Sequence, residues 1–193
     1  MSAQAGHPRL FREQDGDVST LHGSTIAILG YGRLGEPLAL NLRDTFAAAE
    51  PPVRLIVGSD DEASSARALD AGFETVSLVE AAAEADMALM LLPDEVQEDR
   101  CEEIFARLRP GASIVFASGY AIAYDHVATP PDSDVLLFAP RMGGEAIRQR
   151  YLDRQGYMSY LGVEHDASGQ GLARVLALAA GAGSLAFGAL EMT

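Results

Sequence analysis

Short apolar runs alternate along the chain with longer segments whose apolar residues recur every three or four positions. Thr25–Leu29 is apolar on both faces, which predicts a strand buried inside a parallel sheet. Residues 34–49 repeat an apolar side chain at every fourth position, which predicts a helix ending before Pro51-Pro52. The same patterns predict strands at 53–57, 86–92, 113–117, 135–139 and 157–163, and helices at 61–71, 94–108 and 171–180. The alternation predicts an α/β fold, a doubly wound, mostly parallel sheet with helices on both faces.

Composition narrows the class of protein. The polar segment 1–23 is predicted to be an N-terminal arm, and the 193-residue length leaves 24–193 as one domain. The net charge of −14 argues against a nucleic acid partner, and no apolar run is long enough for a membrane span.

Cys101 is the only cysteine and lies among acids, which predicts a raised thiol pKa and no intrachain disulfide. We expect a cytoplasmic protein.

A glycine-rich loop joins the first strand to the first helix. Its sequence is Gly30-Tyr31-Gly32-Arg33-Leu34-Gly35, which is GxGxxG. In this setting the glycines allow a tight turn, close approach of a pyrophosphate and close helix–strand packing. The helix N-terminus then faces the anion. The loop predicts that 24–193 is a dinucleotide-binding domain, in which Arg33 either pairs with phosphate or is a solvated surface residue.

The end of the second strand bears on the choice of cofactor. There, Ser59 and Asp60 lead into two further acids and Ser65, with no Lys or Arg in the loop to hold a 2′-phosphate. An acid at this position hydrogen-bonds the ribose 2′-OH, which favours NAD over NADP. The alternative is that the acids only stabilise the N-terminus of the next helix.

Three later strands end in candidate site residues. Ligands bind at the carboxyl ends of parallel strands, so side chains placed there are candidates for contact with cofactor or substrate. Arg141 is suited to a bidentate carboxylate contact, but a surface arginine is the alternative. Ser118 is either a contact to substrate or nicotinamide or an ordinary turn serine, and Asp94 is either a cofactor contact or an N-cap. The candidates are Pro93, Asp94, Glu95, Val96 and Gln97 for cofactor, Ser118 and Arg141 for catalysis, and Gly144 for close approach of a ligand.

Several motifs together resemble the ketol-acid reductoisomerase family along nearly the whole chain. They are 15–23, 28–32, 39–44, 91–97, 110–112, 116–117, 135–140 and 166–169, of which Pro93-Asp94-Glu95-Val96-Gln97 and Asp166-Ala167-Ser168-Gly169 are the most distinctive. The resemblance implies the N-terminal Rossmann domain of an enzyme that isomerises an acetohydroxy acid and reduces the product in branched-chain amino-acid biosynthesis. It implies cofactor contacts at residues 31–34, Asp60, Ser65, 94–97 and Gly144.

The chain departs from the family at three positions. The family commonly has histidine at Ser118, lysine at Arg141 and, at Asp60, an arginine that contacts the 2′-phosphate. The family also implies Mg²⁺, whose carboxylate ligands belong to a helical C-terminal domain that this chain does not include. We therefore expect a small-molecule substrate, and either a further domain or a homo-oligomer to complete the site. A divergent reductase acting on another carbonyl or imine, and a non-catalytic nucleotide-binding module, are the alternatives.

Overall fold

The structure is a computed structural model that describes residues 8–124 and 126–192. Nine strands form one sheet in the order β1-β9-β8-β7-β6-β5-β2-β3-β4. The strands are β1 Leu10–Phe11, β2 Thr25–Leu29, β3 Arg54–Gly58, β4 Glu74–Val76, β5 Met87–Met90, β6 Ser113–Phe116, β7 Asp134–Pro140, β8 Met158–His165 and β9 Gly188–Glu191. The helices are α1 Gly35–Phe46, α2 Glu62–Asp70, α3 Leu78–Glu84, α4 Asp94–Phe105, α5 Tyr120–Ala123, α6 Gly144–Leu152 and α7 Gly171–Gly181. Short 3₁₀ helices lie at Glu13–Asp15, Val18–Leu21 and Ser184–Ala186.

The central part of the sheet is parallel, and its order reverses beside β2. β3 and β4 extend from one side of β2, and β5, β6 and β7 extend from the other. The predicted doubly wound α/β fold is confirmed. The reversal leaves a crevice at the carboxyl ends of β2 and β5, which is where such sheets bind ligands.

Alternation along β2 divides the core into two layers. Ile26 and Ile28 pack in the layer that includes Leu38 of α1 and Leu178 of α7. Ala27 and Leu29 face the other layer, under α3, α4 and α5. All four of these β2 side chains are fully buried, which explains why the strand is apolar on both faces.

The far edge of the sheet is mixed. β8 runs antiparallel to β7, β9 is parallel to β8, and β1 pairs antiparallel with β9. Part of the segment predicted as an N-terminal arm therefore joins the sheet, since Leu10 and Phe11 pair with Leu190 and Ala189. Residues 1–7 of that segment lie outside the described part of the chain.

A buried carboxylate connects three elements at the amino ends of β6 and β7. Asp134 is completely buried and accepts hydrogen bonds from Ser113 Oγ at 3.1 Å, Ser168 N at 2.9 Å and Ser168 Oγ at 2.8 Å. Arg174 of α7 pairs with it at 2.9 Å. Burial alone would raise the pKa of Asp134, but these hydrogen bonds and the arginine together hold it below its ordinary value.

Cys101 of α4 is buried in the layer under α3 and α4. Burial raises the pKa of its thiol to about 11. The direction agrees with the sequence-based expectation, but the physical cause is desolvation and not the neighbouring acids. None of the described helices has the length and apolar character that crossing a membrane requires.

Candidate functional site

The glycine-rich loop lies at the crevice where the strand order reverses. Gly30 has a φ of +105°, a conformation that other residues rarely adopt, and its N–H donates to the carbonyl of Gly58 at 2.9 Å. This bond ties the start of the loop to the end of β3. A Cβ at Gly30 would also crowd the Leu91 carbonyl at 3.0 Å, so the loop after β5 borders the same site.

The other two glycines of the motif play different roles. A Cβ on Gly35 would overlap the carbonyl oxygen of Gly30, so only glycine allows α1 to begin this close to the strand. Nothing lies within 4 Å of a Cβ placed on Gly32, so this backbone faces open space. Open space over the second glycine is what a bound pyrophosphate requires.

The residues that lead into α1 offer unused hydrogen-bond donors. Glu36 N donates to Gly32 O at 3.0 Å, but the N–H groups of Arg33, Leu34 and Gly35 donate to no acceptor among residues 8–124 and 126–192. These amides and the helix dipole make a site for a phosphate group. Arg33 is exposed beside them, at a cleft of about 610 Å³ between the first turns of α1 and α6.

Tyr31 contributes to this site only through its backbone. Its ring is 1% exposed and packs against Phe73, with centroids 5.7 Å apart. Burial raises the pKa of the phenol to about 12. The Tyr31 carbonyl accepts a bond from Arg67 of α2 at 2.9 Å, which joins the loop to the unit that follows β3.

The acids that follow β3 are engaged by the protein. Asp61 is the N-cap of α2, where Oδ2 accepts from Ser64 N at 2.7 Å, and these bonds with Ser64 lower its pKa. Asp60 accepts from Leu78 N at 3.2 Å and pairs with Arg100 at 2.6 Å. The alternative interpretation is confirmed for Asp61, which caps a helix, while the ribose contact of Asp60 stays a prediction.

Two serines close this loop on itself. Ser65 Oγ donates to the Ser59 carbonyl at 3.4 Å, and Ser59 Oγ donates to the Asp61 carbonyl at 3.2 Å. These contacts hold the turn after β3 in a compact form and keep both hydroxyls beside the predicted ribose position.

The segment 93–97 begins α4 next to the glycine-rich loop. Pro93 is the residue at the N-cap, so the alternative that Asp94 is the cap is wrong. Glu95 and Val96 are exposed at this end of the helix and Asp94 is half-buried. Gln97 is buried and donates Nε2 to the Leu92 carbonyl at 2.7 Å, so its side chain supports the loop instead of projecting from it.

Ser118 and Arg141 follow the neighbouring parallel strands β6 and β7 at the same edge of the sheet. Ser118 Oγ accepts from Tyr120 N at 3.2 Å, which is the bond of a turn serine at the start of α5. Arg141 is exposed, and its guanidinium stacks over the ring of Tyr160 at 5.2 Å. This stacking leaves the edge of the planar group available for a carboxylate.

Gly144 begins α6 directly against the glycine-rich loop. A Cβ at this position would overlap the carbonyl oxygen of Arg33. Gly144 therefore touches the loop itself, and its contact with a ligand stays a prediction. Its neighbour Gly143 has open space around it.

A metal site of the expected kind is not seen in the described residues. No three His, Cys, Asp or Glu side chains come together there in a way that would hold a metal ion. Residues 8–124 and 126–192 therefore do not fit a carboxylate-bound Mg²⁺.

Two arginines near the predicted ribose position were not singled out from the sequence. Arg67 lies one turn into α2 and Arg100 lies on α4, so neither belongs to the loop after β3. Contacts between the loop, α3 and α4 bring Arg100 to Asp60 across 40 positions of sequence. Arg100 therefore gives Asp60 a cationic partner that the loop itself does not contain.

Comparison with known proteins agrees with this geometry. Residues 20–188 match the sequence model of the NADPH-binding domain of acetohydroxy acid isomeroreductase. The chain belongs to this family. Acetohydroxy acid isomeroreductase is another name for ketol-acid reductoisomerase, so the resemblance found from the motifs is confirmed. As a member, the chain is a nicotinamide dinucleotide-binding domain of an NAD(P)-dependent oxidoreductase family.

Individual relatives show how much of the longer proteins the chain represents. It is 40% identical over 186 residues to the ketol-acid reductoisomerase (NADP(+)) of Caldivirga maquilingensis, covering 96% of this chain and 55% of the relative. The structure of an NADH-preferring ketol-acid reductoisomerase from an uncultured archaeon superposes with a TM-score of 0.87 at 30% identity, covering 96% of this chain and 56% of the other. The chain thus spans about half the length of these relatives.

A more distant structural neighbour has a similar fold but lies outside the family. Prephenate dehydrogenase from A. aeolicus has a TM-score of 0.68 at 15% identity, covering 90% of this chain and 61% of the other. At this identity the similarity shows a shared Rossmann-like fold only.

Proposed function

We propose that this chain is the cofactor-binding part of a ketol-acid reductoisomerase and that it prefers NADH to NADPH. The observation that carries the proposal is the glycine-rich loop at the switch point of the sheet. Gly35 is pressed against the strand, and Gly32 faces open space. The N–H groups of Arg33, Leu34 and Gly35 donate to no acceptor in the described part of the chain. These features suit a pyrophosphate at this position.

The residues around the loop would then orient the rest of the cofactor. Ser59, Asp60 and Ser65, between the end of β3 and the start of α2, would contact the adenosine ribose, and residues 93–96 would flank the cofactor from the β5 side. When bound, the nicotinamide supplies a hydride to the substrate. The chain's part in that step is to hold the ring at the carboxyl ends of β5 and β6.

Arg141 and Ser118 are the proposed substrate-side residues. Arg141 would bind the carboxylate of an acetohydroxy acid through its exposed guanidinium, whose plane is set by Tyr160. Ser118 would contact the substrate or the nicotinamide, although its hydroxyl already accepts from Tyr120 N. A divergent reductase acting on another carbonyl or imine is the second candidate, because the usual family residues are absent at both positions.

Acidic residues and one relative support the NADH preference. Asp60, Asp61 and Glu62 carry three negative charges near the inferred 2′ position, of which Arg100 offsets the one on Asp60, and the other two oppose a 2′-phosphate. The archaeal relative described above is named as NADH-preferring, whereas the Caldivirga relative is named for NADP(+).

Substrate turnover would need protein beyond this chain. The relatives are nearly twice as long, and the described residues hold no cluster of carboxylates for Mg²⁺. We propose that a further domain or a second copy of the protein completes the site, and that the 193-residue chain binds cofactor without catalysing the reaction.

Two measurements on the 193-residue chain test the proposal. NADH and NADPH are titrated by calorimetry at one salt concentration, and NADH oxidation is followed with an acetohydroxy acid and Mg²⁺. We expect binding of both cofactors, tighter for NADH, and no turnover above background. Failure to bind either cofactor would contradict the domain assignment. Metal-dependent turnover by protein of confirmed mass would show that the reaction site is complete within this chain.

A further inference from the structure

A salt bridge joins the acid at the predicted ribose position to a helix on the other side of the crevice. Arg100 Nη2 on α4 lies 2.6 Å from Asp60 Oδ2, in the turn after β3. The two side chains are about one-third exposed, at 30% and 35%. The pair is therefore accessible to a ligand and only partly screened by solvent.

The carboxylate of Asp60 is fixed from two directions. Oδ1 accepts the N–H of Leu78 at the start of α3, and Oδ2 accepts from Arg100. Each carboxylate oxygen has a second lone pair, so Asp60 can still accept a ribose hydroxyl. Its negative charge, however, is balanced by the arginine beside it.

Arg100 keeps donors that the protein does not use. Nε donates to Glu103 Oε1 at 2.8 Å, and Nη2 is shared between Asp60 and Glu103. Nη1 donates to no residue in the described part of the chain. A guanidinium with an unused N–H edge beside a ribose position is suited to a phosphate group.

We propose that Arg100 determines how strongly the domain discriminates between NADH and NADPH. It neutralises Asp60 and offers Nη1 to a 2′-phosphate, so the preference for NADH is narrow and not exclusive. The inference rests on the proposed function, because it assumes that the adenosine ribose lies at Asp60. It assigns a role in cofactor specificity to a residue of α4, which lies outside the acidic loop after β3.

The central experiment compares two arginine variants, one on α4 and one just after its C-terminal end. R100Q removes the cation at Asp60, and R107Q removes an exposed arginine whose side chain makes no hydrogen bond or ion pair within the described residues. We expect R100Q to weaken NADPH about three- to fivefold, as for loss of a partly exposed ion pair, and NADH less than about twofold. R107Q should leave the ratio of the two dissociation constants at the wild-type value.

Two further variants separate specificity from structure. D60N keeps an oxygen for Leu78 N but frees Arg100, so NADPH should bind more tightly and NADH more weakly than in the wild type. R100K retains the positive charge and should recover most of the NADPH affinity that R100Q loses.

The outcomes distinguish this inference from the proposed function. If R100Q weakens both cofactors by the same factor, Arg100 has a structural role and the inference is wrong. It is also wrong if R100Q binds both cofactors like the wild type. If the wild-type chain binds neither cofactor, the proposed function itself fails.

Discussion

The α-carbon of Gly144 packs directly against the carbonyl oxygen of Arg33. This contact joins the start of α6 to the glycine-rich loop, although β7, which leads into α6, lies three strands away from β2 in the sheet order. The position of the loop therefore depends on the element that follows β7, as well as on its own strand and helix.

A methyl group at residue 144 should displace the loop. We expect Gly144→Ala to destabilise the fold by about 1–3 kcal/mol, the usual cost of overpacking, and to weaken dinucleotide binding. Thermal unfolding and NADH titration measure the two effects. Gly143→Ala is the matched control, because its new Cβ would meet open space. Equal behaviour of the two variants would contradict the proposed contact.

A bulky residue at Gly32 should block the cofactor without affecting the fold. The new side chain enters open space in the free protein but occupies the predicted pyrophosphate position. We expect Gly32→Val to lower NADH affinity about tenfold or more, through loss of hydrogen bonds to a charged group. Calorimetry measures the affinity, and circular dichroism checks that the variant is folded. A folded variant with wild-type affinity would remove the loop from the cofactor site.

Removing the buried carboxylate of Asp134 should be costly. Arg174 would lose its buried partner, so Asp134→Ala is expected to lower the free energy of unfolding by about 3–5 kcal/mol. Urea denaturation measures the change. The exposed Asp132 provides the control, since Asp132→Asn should cost less than about 0.5 kcal/mol. Similar losses in both variants would argue against the buried pair.

The same group predicts a pH dependence. Its pKa is lower in the folded chain than the ordinary value near 4, so its contribution to stability is full above about pH 4. That contribution is lost as the pH falls through the folded-state pKa. The stability difference between the wild type and Asp134→Asn should therefore be smaller at about pH 3 than at pH 7, and a constant difference would contradict the assignment.

Cys101 should be inert in the native chain. Burial both raises its thiol pKa to about 11 and blocks access, so a thiol reagent at about pH 8 should react only after denaturant is added. The time course of absorbance with an aromatic disulfide reagent measures this. Rapid labelling of the folded protein would show that the α3–α4 layer opens readily.

The sequence predicts the elements whose signals are local. β2, α1 and α7 agree with the predicted segments to within a few residues, because burial on both strand faces and repeated helical spacing are visible in the residues themselves. α3 was missed, although Ser77 and Glu80 form a capping box at its start. Its seven residues are mostly Ala and Glu, too few to show a clear apolar stripe.

The candidate site likewise has features that the sequence predicts and features that depend on tertiary packing. The glycine-rich loop is predicted together with its strand and helix, because the structural role of each glycine follows from the residues next to it in the sequence. The buried side chain of Gln97, a predicted cofactor residue, donates to the Leu92 carbonyl, and only tertiary packing shows this bond. The contact between Asp60 and Arg100 is not predictable from spacing, since it depends on how α3 and α4 pack beside β3.

The edge of the sheet has a consequence for the order of folding. β1 is bonded to the sheet only through β9, and Leu10 pairs with Leu190 at the opposite end of the described chain. Closing so long a loop has a high entropic cost and is slow compared with the local pairing of β2 and β3. We therefore expect the amides of β1 and β9 to gain protection together and last during refolding, after the cofactor crevice between β2 and β5 has already formed.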